Sequence, residues 1–498
     1  MKGFRSALIV MTGERYVVLS VNFALIAIIA RLLTPEEFGI HVIGGAIAAI
    51  ALTVAREFAP PIYLVQRKEL LPDDVRSAVT VMLLLTSAVS AALIASSPWV
   101  SNAYGHDKLA FYLGVIAVAF LIELISEPIR ALMQRDMDFN RVAMLNVSGV
   151  TVGAVATISF AWLGFSFMSF AWGWLFTAIT KAIFALYLRP VFWIFRPKLS
   201  HWRDILTFSG FNGTNVLLHQ IYDTVPYLFF GRLLSAEAAG LYNRAITLCR
   251  LPDQAFLGGL LAVAVPAFSA EVREGRSLRG PYLKAIECIT AVQWPALVIL
   301  ALLAHPIVLI VLGTQWLGVV SIVQIVALAW AFSFSASLNY PVLVSLGKMR
   351  DVFIRALIIW PASAAILSFA ALFGLKAVAF SMFFVLQFQA FVSMQIVRRH
   401  LKFEWRDLAR ALSKSVIVTL CSAAGPLVII GIAGFRFDIS IIAGLIAGLA
   451  AAPGWIGGLW ITRHPLFDEI VRTMRSVLQR LNRNRALKLA GGDSKSVS

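Results

Sequence analysis

RLLTPEEFGI, residues 31–40, and RLLSAEAAGL, residues 232–241, are the same short sentence written twice, 201 residues apart. Arg, Leu, Leu, Glu and Gly stand in register. Thr is answered by Ser, and Ile by Leu. Internal repeats set architecture, so they are sought before other features. The chemistry of both copies is that of a helix start. Thr34 can cap, Pro35 suits the first turn and Glu37 completes a capping box. In the second copy Ser235 can cap, while Ala238 stands where the box needs Glu. A generic turn between helices is the plainer reading. The long fixed offset argues against it.

Around these copies the chain is apolar from end to end. Of 498 residues, 59% are hydrophobic and 14% charged, where a soluble domain is nearer a quarter charged; mean hydropathy is +0.82. Stretches of about 20 apolar residues, enough to cross a bilayer as helices, recur fourteen times. They run 16–33, 40–62, 77–98, 109–130, 142–163, 166–188, 207–231, 241–268, 282–304, 318–344, 353–373, 377–397, 413–434 and 439–461. The expected fold is all-α and membrane-embedded.

A net charge of +17 raises the question of nucleic acid, and its placement answers it. With the N-terminus and the loops after even-numbered spans on one side, that side and the two tails hold 34 of the 43 Lys and Arg. The opposite loops hold five: Arg31, Lys108, Arg232, Lys376 and Arg436. This positive-inside bias places both termini in the cytoplasm and excludes nucleic acid as the partner. Cys249, Cys288 and Cys421 all fall within spans and read as small packing residues, not a disulfide framework. The first span lacks a small-residue cleavage site and reads as a retained helix.

Six crossings separate the two copies of the repeat, so both lie on the same, outer side. Two halves of one orientation form a parallel repeat about an axis along the membrane normal. The expected organisation is a six-helix lobe over 1–188, a cytoplasmic linker over 189–206 and a second six-helix lobe over 207–397. Two further helices follow over 398–461, then a basic tail over 462–498. In that tail Ile470, Val471, Met474, Val477, Leu478 and Leu481 make an apolar face beside Arg472, Arg475, Arg480 and Arg483. It reads either as a helix on an anionic membrane surface or as a solvated tail.

Charge in the bilayer centre costs about 2.5–3.5 kcal/mol or more per residue, so each embedded polar group is a functional candidate. Span 7 carries Asn212, Asn215, His219, Tyr222, Asp223 and Pro226 on one helical stripe. Span 8 carries Asn243, Thr247, Arg250 and Gln254 on another, flanked by Arg244 and Asp253. Span 2 has Arg56 and Glu57 before Pro60 and Pro61; span 4 has Glu123, Glu127 and Arg130; span 6 has Lys181 and span 9 Glu287. The repeat offset sets Asn22 opposite Asp223. Bland readings stand beside these. Glu123, Glu127 and Arg130 can be a structural ion pair, His219 a satisfied packing histidine, and Lys181 and Glu287 can snorkel. Arg250, mid-span with no charge one turn before it, resists such a reading. No phosphate-binding loop, zinc spacing or nucleophile elbow occurs, and no cofactor or metal is expected.

Several stretches resemble a known family. ARLLTPEEFG (30–39) resembles the start of bacterial polysaccharide transporters, the Wzx-type flippases of the multidrug/oligosaccharidyl-lipid/polysaccharide superfamily. Residues 240–269, GLYNRAITLCRLPDQAFLGGLLAVAVPAFS, look like that family's span 8; LGTQWLGVVSIVQIVALA (312–329) is similar to its Gly-x-x-Trp segment, and YPVLVSLGKMR (340–350) to its small-Gly-Lys/Arg turn. The likeness runs over about residues 1–461. It implies movement of an undecaprenyl-diphosphate-linked oligosaccharide across the inner membrane for capsule, O-antigen or exopolysaccharide synthesis, by alternating access of two lobes. The bilayer is then the second partner, with the polysaccharide polymerase and export machinery as further candidates. On this expectation Arg56, Lys181, Asn215, His219, Arg244 and Arg250 bind substrate, since Arg forms bidentate bonds to phosphate and Asn suits sugar hydroxyls. Asp223, Glu57, Glu123 and Glu127 are the candidates for ion coupling or gating. The rivals are a multidrug or cation antiporter of the same superfamily, a flippase for the peptidoglycan precursor, a membrane glycan polymerase or ligase, and an assembly scaffold.

Overall fold

A computed structural model describes residues 2–58, 62–66, 69–200, 202–254 and 258–472. Among them the regular structure is helical. The helices are α1 (Lys2–Leu32), α2 (Pro35–Glu57), α3 (Ile62–Gln66), α4 (Pro72–Tyr104), α5 (Lys108–Arg135), α6 (Phe139–Trp162), α7 (Met168–Leu188), α8 (Trp202–Leu233) and α9 (Ala236–Pro252). There follow α10 (Gly258–Arg273), α11 (Arg279–Leu302), α12 (Ala304–Val311), α13 (Val320–Trp330), α14 (Phe334–Ser345), α15 (Met349–Ala371), α16 (Leu375–Leu401), α17 (Trp405–Ile432) and α18 (Ile441–Ile461).

Twelve helices among the described residues are long and apolar enough to cross a membrane, and the chain is a multi-pass membrane protein. Its outward side chains are those that lipid wants: Phe384, Leu420, Ile432 and Leu449 are exposed. The stretches expected as spans seven and eight are occupied by α8, of 32 residues, and by the pair α9 and α10. In the eighth, α9 ends at Pro252, a π-type turn follows over 253–254, and α10 begins at Gly258. The tenth is interrupted by a 3-10 turn over Ala331–Ser333. Hydropathy averages over such turns.

The helix starts written twice form as their residues dictate. Thr34 Oγ1 accepts from the Glu37 N–H at 3.3 Å while the Glu37 carboxylate accepts from the Thr34 N–H at 2.9 Å. This closes the capping box of α2. At the second copy Ser235 Oγ accepts from the Ala238 N–H at 3.1 Å, with no reciprocal carboxylate.

The chain divides into two compact units. Unit 1 comprises Met1–Leu248, Val308–Ile322 and Arg350–Phe388; unit 2 comprises Cys249–Ile307, Val323–Met349 and Gln389–Ser498. Within unit 1 the two copies of the repeat meet each other. A Cβ on Gly39 would lie 1.7 Å from the Ala236 carbonyl oxygen, and one on Gly240 would lie 2.4 Å from that of Pro35. Each contact is the other shifted by the repeat offset, so α2 and α9 cross on an isologous pair of glycines. Without a hydrophobic drive between helices in lipid, such small residues supply the close packing. Helices α6 and α7 use the same device. Cβ atoms on Gly153 and Gly173 would lie 1.8 Å from Thr177 Oγ1 and Thr157 Oγ1. The core of this unit packs Leu64, Val79, Met82, Ile129, Met133, Leu145 and Ile194.

The Gly-x-x-Trp segment also lies in unit 1 and caps α1. Gln315 Nε2 donates to the Ala30 and Leu33 carbonyls, and Trp316 Nε1 to the Ala30 carbonyl at 2.6 Å. These are orphan acceptors at a helix end. Unit 2 packs α11, α17 and α18 around two small clusters, Leu303 with Ile430, Ile439 and Ala447, and Ala291 with Val418 and Leu459. Ile470 of the expected tail helix packs on the second cluster. Met474, Arg475, Val477, Leu478, Arg480, Leu481 and Arg483 lie outside the described residues.

Candidate functional site

Three spans bring one ionic network together in unit 1. Arg56 sits on the last turn of α2. Glu123, Glu127 and Arg130 stand on one face of α5 at i, i+4 and i+7, and Lys181 reaches in from α7. Arg56 Nη2 lies 2.7 Å from Glu123 Oε1 and 3.8 Å from Glu127 Oε1. Arg130 Nη2 lies 2.5 Å from Glu127 Oε2, and Lys181 Nζ 3.6 Å from Glu123 Oε1. Three cations thus meet two carboxylates inside the spans, and Glu57, next to Arg56 in the chain, adds a third negative charge acting on it.

The carboxylates are the buried members: Glu123 is 5% exposed and Glu127 8%. Arg56 keeps 37% of its side chain open. Glu123 Oε2 is buried and accepts no hydrogen bond, although buried acceptors are normally satisfied. A cavity of about 20 Å³ adjoins it, lined by Arg56, Thr86, Phe120, Glu123 and Glu127, room for about one water. Lys181 has its place because residue 149 is glycine. A Cβ there would lie 2.6 Å from Lys181 Cγ.

A second cluster in unit 1 joins α8 to α15. His219 Nδ1 stands 3.7 Å from Asp223 Oδ2, one turn on. Tyr222 stacks on Trp360 with ring centroids 4.9 Å apart and planes 29° apart, and His219 meets the same indole edge-on at 4.7 Å. The guanidinium of Arg355 lies 6.0 Å from that ring. His219 remains exposed, and Tyr222, Asp223 and Trp360 are half-buried. Such a face is expensive toward lipid; it suits a wet cavity, with flat rings to stack on and charged edges to hydrogen-bond. Trp360 and Arg355 were not singled out in the sequence, where one is an aromatic in an apolar run and the other a basic residue near a span end.

The remaining candidates fall elsewhere. Arg244 is 4% exposed and lies at the α2/α9 crossing. Its Cζ is 3.7 Å above the Phe38 ring and 5.5 Å from that of Trp316. Behind it His41 stacks on Phe170 at 3.6 Å and bonds the Tyr112 hydroxyl at 2.8 Å. Arg244 is thus held by rings and is separate from both clusters. Glu57 ends α2, with its carbonyl 3.0 Å from where a Cβ on Gly213 of α8 would be. Arg250 belongs to unit 2, its Cζ 5.4 Å from the Trp330 ring. Asn215 lies on α8, and its side chain is outside the described part of the structure.

The profile of the family described as "Polysaccharide biosynthesis protein" matches residues 28–321. The chain belongs to this family. It is 23% identical over 314 residues to the lipopolysaccharide biosynthesis protein WzxC of Escherichia coli (strain K12), covering 62% of this chain and 63% of that protein, short of two thirds of its length. It is also 23% identical over 364 residues to the succinoglycan biosynthesis transport protein ExoT of Rhizobium meliloti (strain 1021), covering 71% of each. Among solved structures the lipid II flippase MurJ, in an inward closed conformation, superposes with a TM-score of 0.70 at 13% identity, covering 93% of this chain and 99% of that one. That likeness concerns the fold.

Proposed function

We propose that this chain is a flippase that moves an undecaprenyl-diphosphate-linked oligosaccharide from the inner to the outer leaflet of the bacterial inner membrane, for exopolysaccharide, capsule or O-antigen synthesis. The observation that carries the reading is the network in which Arg56, Arg130 and Lys181 converge on Glu123 and Glu127 inside the spans. Unpaired cations in a span are costly, so the carboxylates act as resident counter-ions. A diphosphate brings more negative charge than either carboxylate and offers Arg the bidentate geometry it prefers. It displaces Glu123 and Glu127, and the freed carboxylates change what α2, α5 and α7 hold in common. This is the differential interaction that a ligand-driven switch requires.

Tyr222 and Trp360 give the glycan flat faces to stack on, with His219, Asp223 and Arg355 for its hydroxyls. Names of relatives agree: one is a lipopolysaccharide biosynthesis protein, one a succinoglycan biosynthesis transport protein. Alternating access of lobes 1–188 and 207–397 with both termini cytoplasmic is the transport scheme we infer from the repeat and the positive-inside bias. The test is deletion of the gene, followed by mass spectrometry of lipid-linked intermediates and assignment of their leaflet. Inner-leaflet oligosaccharide should accumulate and be cleared by the wild-type gene, partly by Arg56→Lys and not by Arg56→Ala. Clearance by Arg56→Ala at the wild-type rate would refute the diphosphate site.

A further inference from the structure

Unit 2 holds a polar cluster that the flippase reading does not use. Asp253 follows Pro252 in a π-type turn at the end of α9. Its Oδ1 accepts from Gln293 Nε2 of α11 at 2.6 Å, and its Oδ2 from Trp330 Nε1, the last residue of α13, at 3.0 Å. Gln293 Nε2 also donates to Ser333 Oγ at 3.0 Å, and Ser333 closes the 3-10 turn between α13 and α14. A π-type turn and a 3-10 turn are thus tied by one carboxylate and one amide. Mid-helix π and 3-10 turns often mark hinges and functional sites.

The cluster is unbalanced in one respect. Gln293 is 2% exposed, and its Oε1 is buried with no hydrogen-bond partner among the described residues. Both Asp253 oxygens already accept N–H donors, which is the pattern of an ionised carboxylate, and an indole N–H can only donate. A proton arriving at Asp253 turns it into a donor that needs an acceptor. Gln293 Oε1 is the acceptor to hand. A half-turn of the amide brings it to the new O–H, and Ser333 then donates to the same oxygen.

We propose that Asp253 is a proton-binding site within the membrane, and that its charge state sets the hydrogen bonding between the π-type turn and the 3-10 turn through Gln293. A metal cation fits poorly, since N–H donors are aimed at the oxygens it would need. Among the described residues no group of three or more His, Cys, Asp and Glu could hold one. The charged or titratable neighbours of Asp253 are Arg250 and Cys249 of α9 itself; α11, α13 and the 3-10 turn present the neutral Gln293, Trp330 and Ser333. Giving this proton a part in transport rests on the flippase reading. The site itself does not.

The experiment is a pH-difference infrared titration of the full chain in lipid nanodiscs without substrate. A carboxylic-acid carbonyl band should grow as pH falls and be missing from Asp253→Asn. Trp330→Phe removes one N–H donor from the ionised form, worth about 1.5 kcal/mol or more, so the midpoint should rise by about one pH unit. This variant carries the test should Asp253→Asn fail to fold. A band that survives in Asp253→Asn, or a midpoint unmoved in Trp330→Phe, overturns the proposal. Flipping of lipid-linked oligosaccharide into vesicles is measured alongside. Titration at Asp253 without flipping supports the site and sinks the flippase reading, whereas flipping without that titration sinks the site alone.

Discussion

Replacing Gly39 by alanine tests the crossing at which the chain's two repeat copies meet. The added Cβ would lie 1.7 Å from the Ala236 carbonyl oxygen, where unstrained contacts need about 3.5 Å. Helices α2 and α9 must part by roughly 1.5–2 Å, because the obstacle is backbone and cannot rotate away. Overpacking of this kind costs about 1–3 kcal/mol. The separation also stretches the stack of Arg244 on Phe38, now at 3.7 Å, and weakens a contact worth about 2 kcal/mol when desolvated, as it is for Arg244 at 4% exposure. Together the loss is about 1–4 kcal/mol, a sizeable part of a typical protein's stability. The assay is thermal unfolding of purified protein in detergent, with Gly240→Ala and the double variant beside it. One shared crossing predicts that the second substitution adds little to the first. A Gly39→Ala protein with the wild-type midpoint would refute the close contact, and full additivity would refute the shared crossing.

Gly149→Ala should push Lys181 off Glu123, since its Cβ would stand 2.6 Å from Lys181 Cγ; clearance of lipid-linked oligosaccharide should fall at normal membrane levels, and an unchanged rate would exclude Lys181 from the site. Trp360→Ala should weaken handling of the glycan, with Trp360→Phe retaining most of it because stacking survives; equal activity of the two, measured in the same clearance assay, would argue against stacking. Reporter fusions at Glu36, Glu237 and Lys376 should read as outer and those at Lys198 and Lys402 as inner. A cytoplasmic signal at Glu36 or Glu237 would refute the parallel repeat.

The spans were legible because a bilayer imposes one length and one polarity on every crossing, and the capping box because its partners lie three residues apart. Pairings across helices were not. Glu123, Glu127 and Arg130 could be read as one face of α5, but nothing in the sequence says that Arg56 and Lys181 come to that face, because helix neighbours depend on packing. Arg244 misled for a related reason. Helical spacing assigns a stripe, yet α9 buries Arg244 together with Ala239, Tyr242, Ala245, Ile246, Leu248 and Cys249, so a polar residue beside the stripe is enclosed rather than open. Trp360 carries no local sign of its role, since aromatic residues in apolar runs are ordinary. The π-type turn after α9 escaped because apolar residues continue in the sequence on both sides of it.

The cap on α1 also fixes an order of events. The Ala30 carbonyl waits for an indole 286 positions further along the chain. At about 5–20 residues per second, synthesis takes roughly 15–60 s to reach it. Throughout that interval the Ala30 carbonyl has to bond water or another partner in place of the indole. The chain thus closes its first helix only after well over half of its length has been made, and the ribosome, not the folded state, decides how long that end remains open.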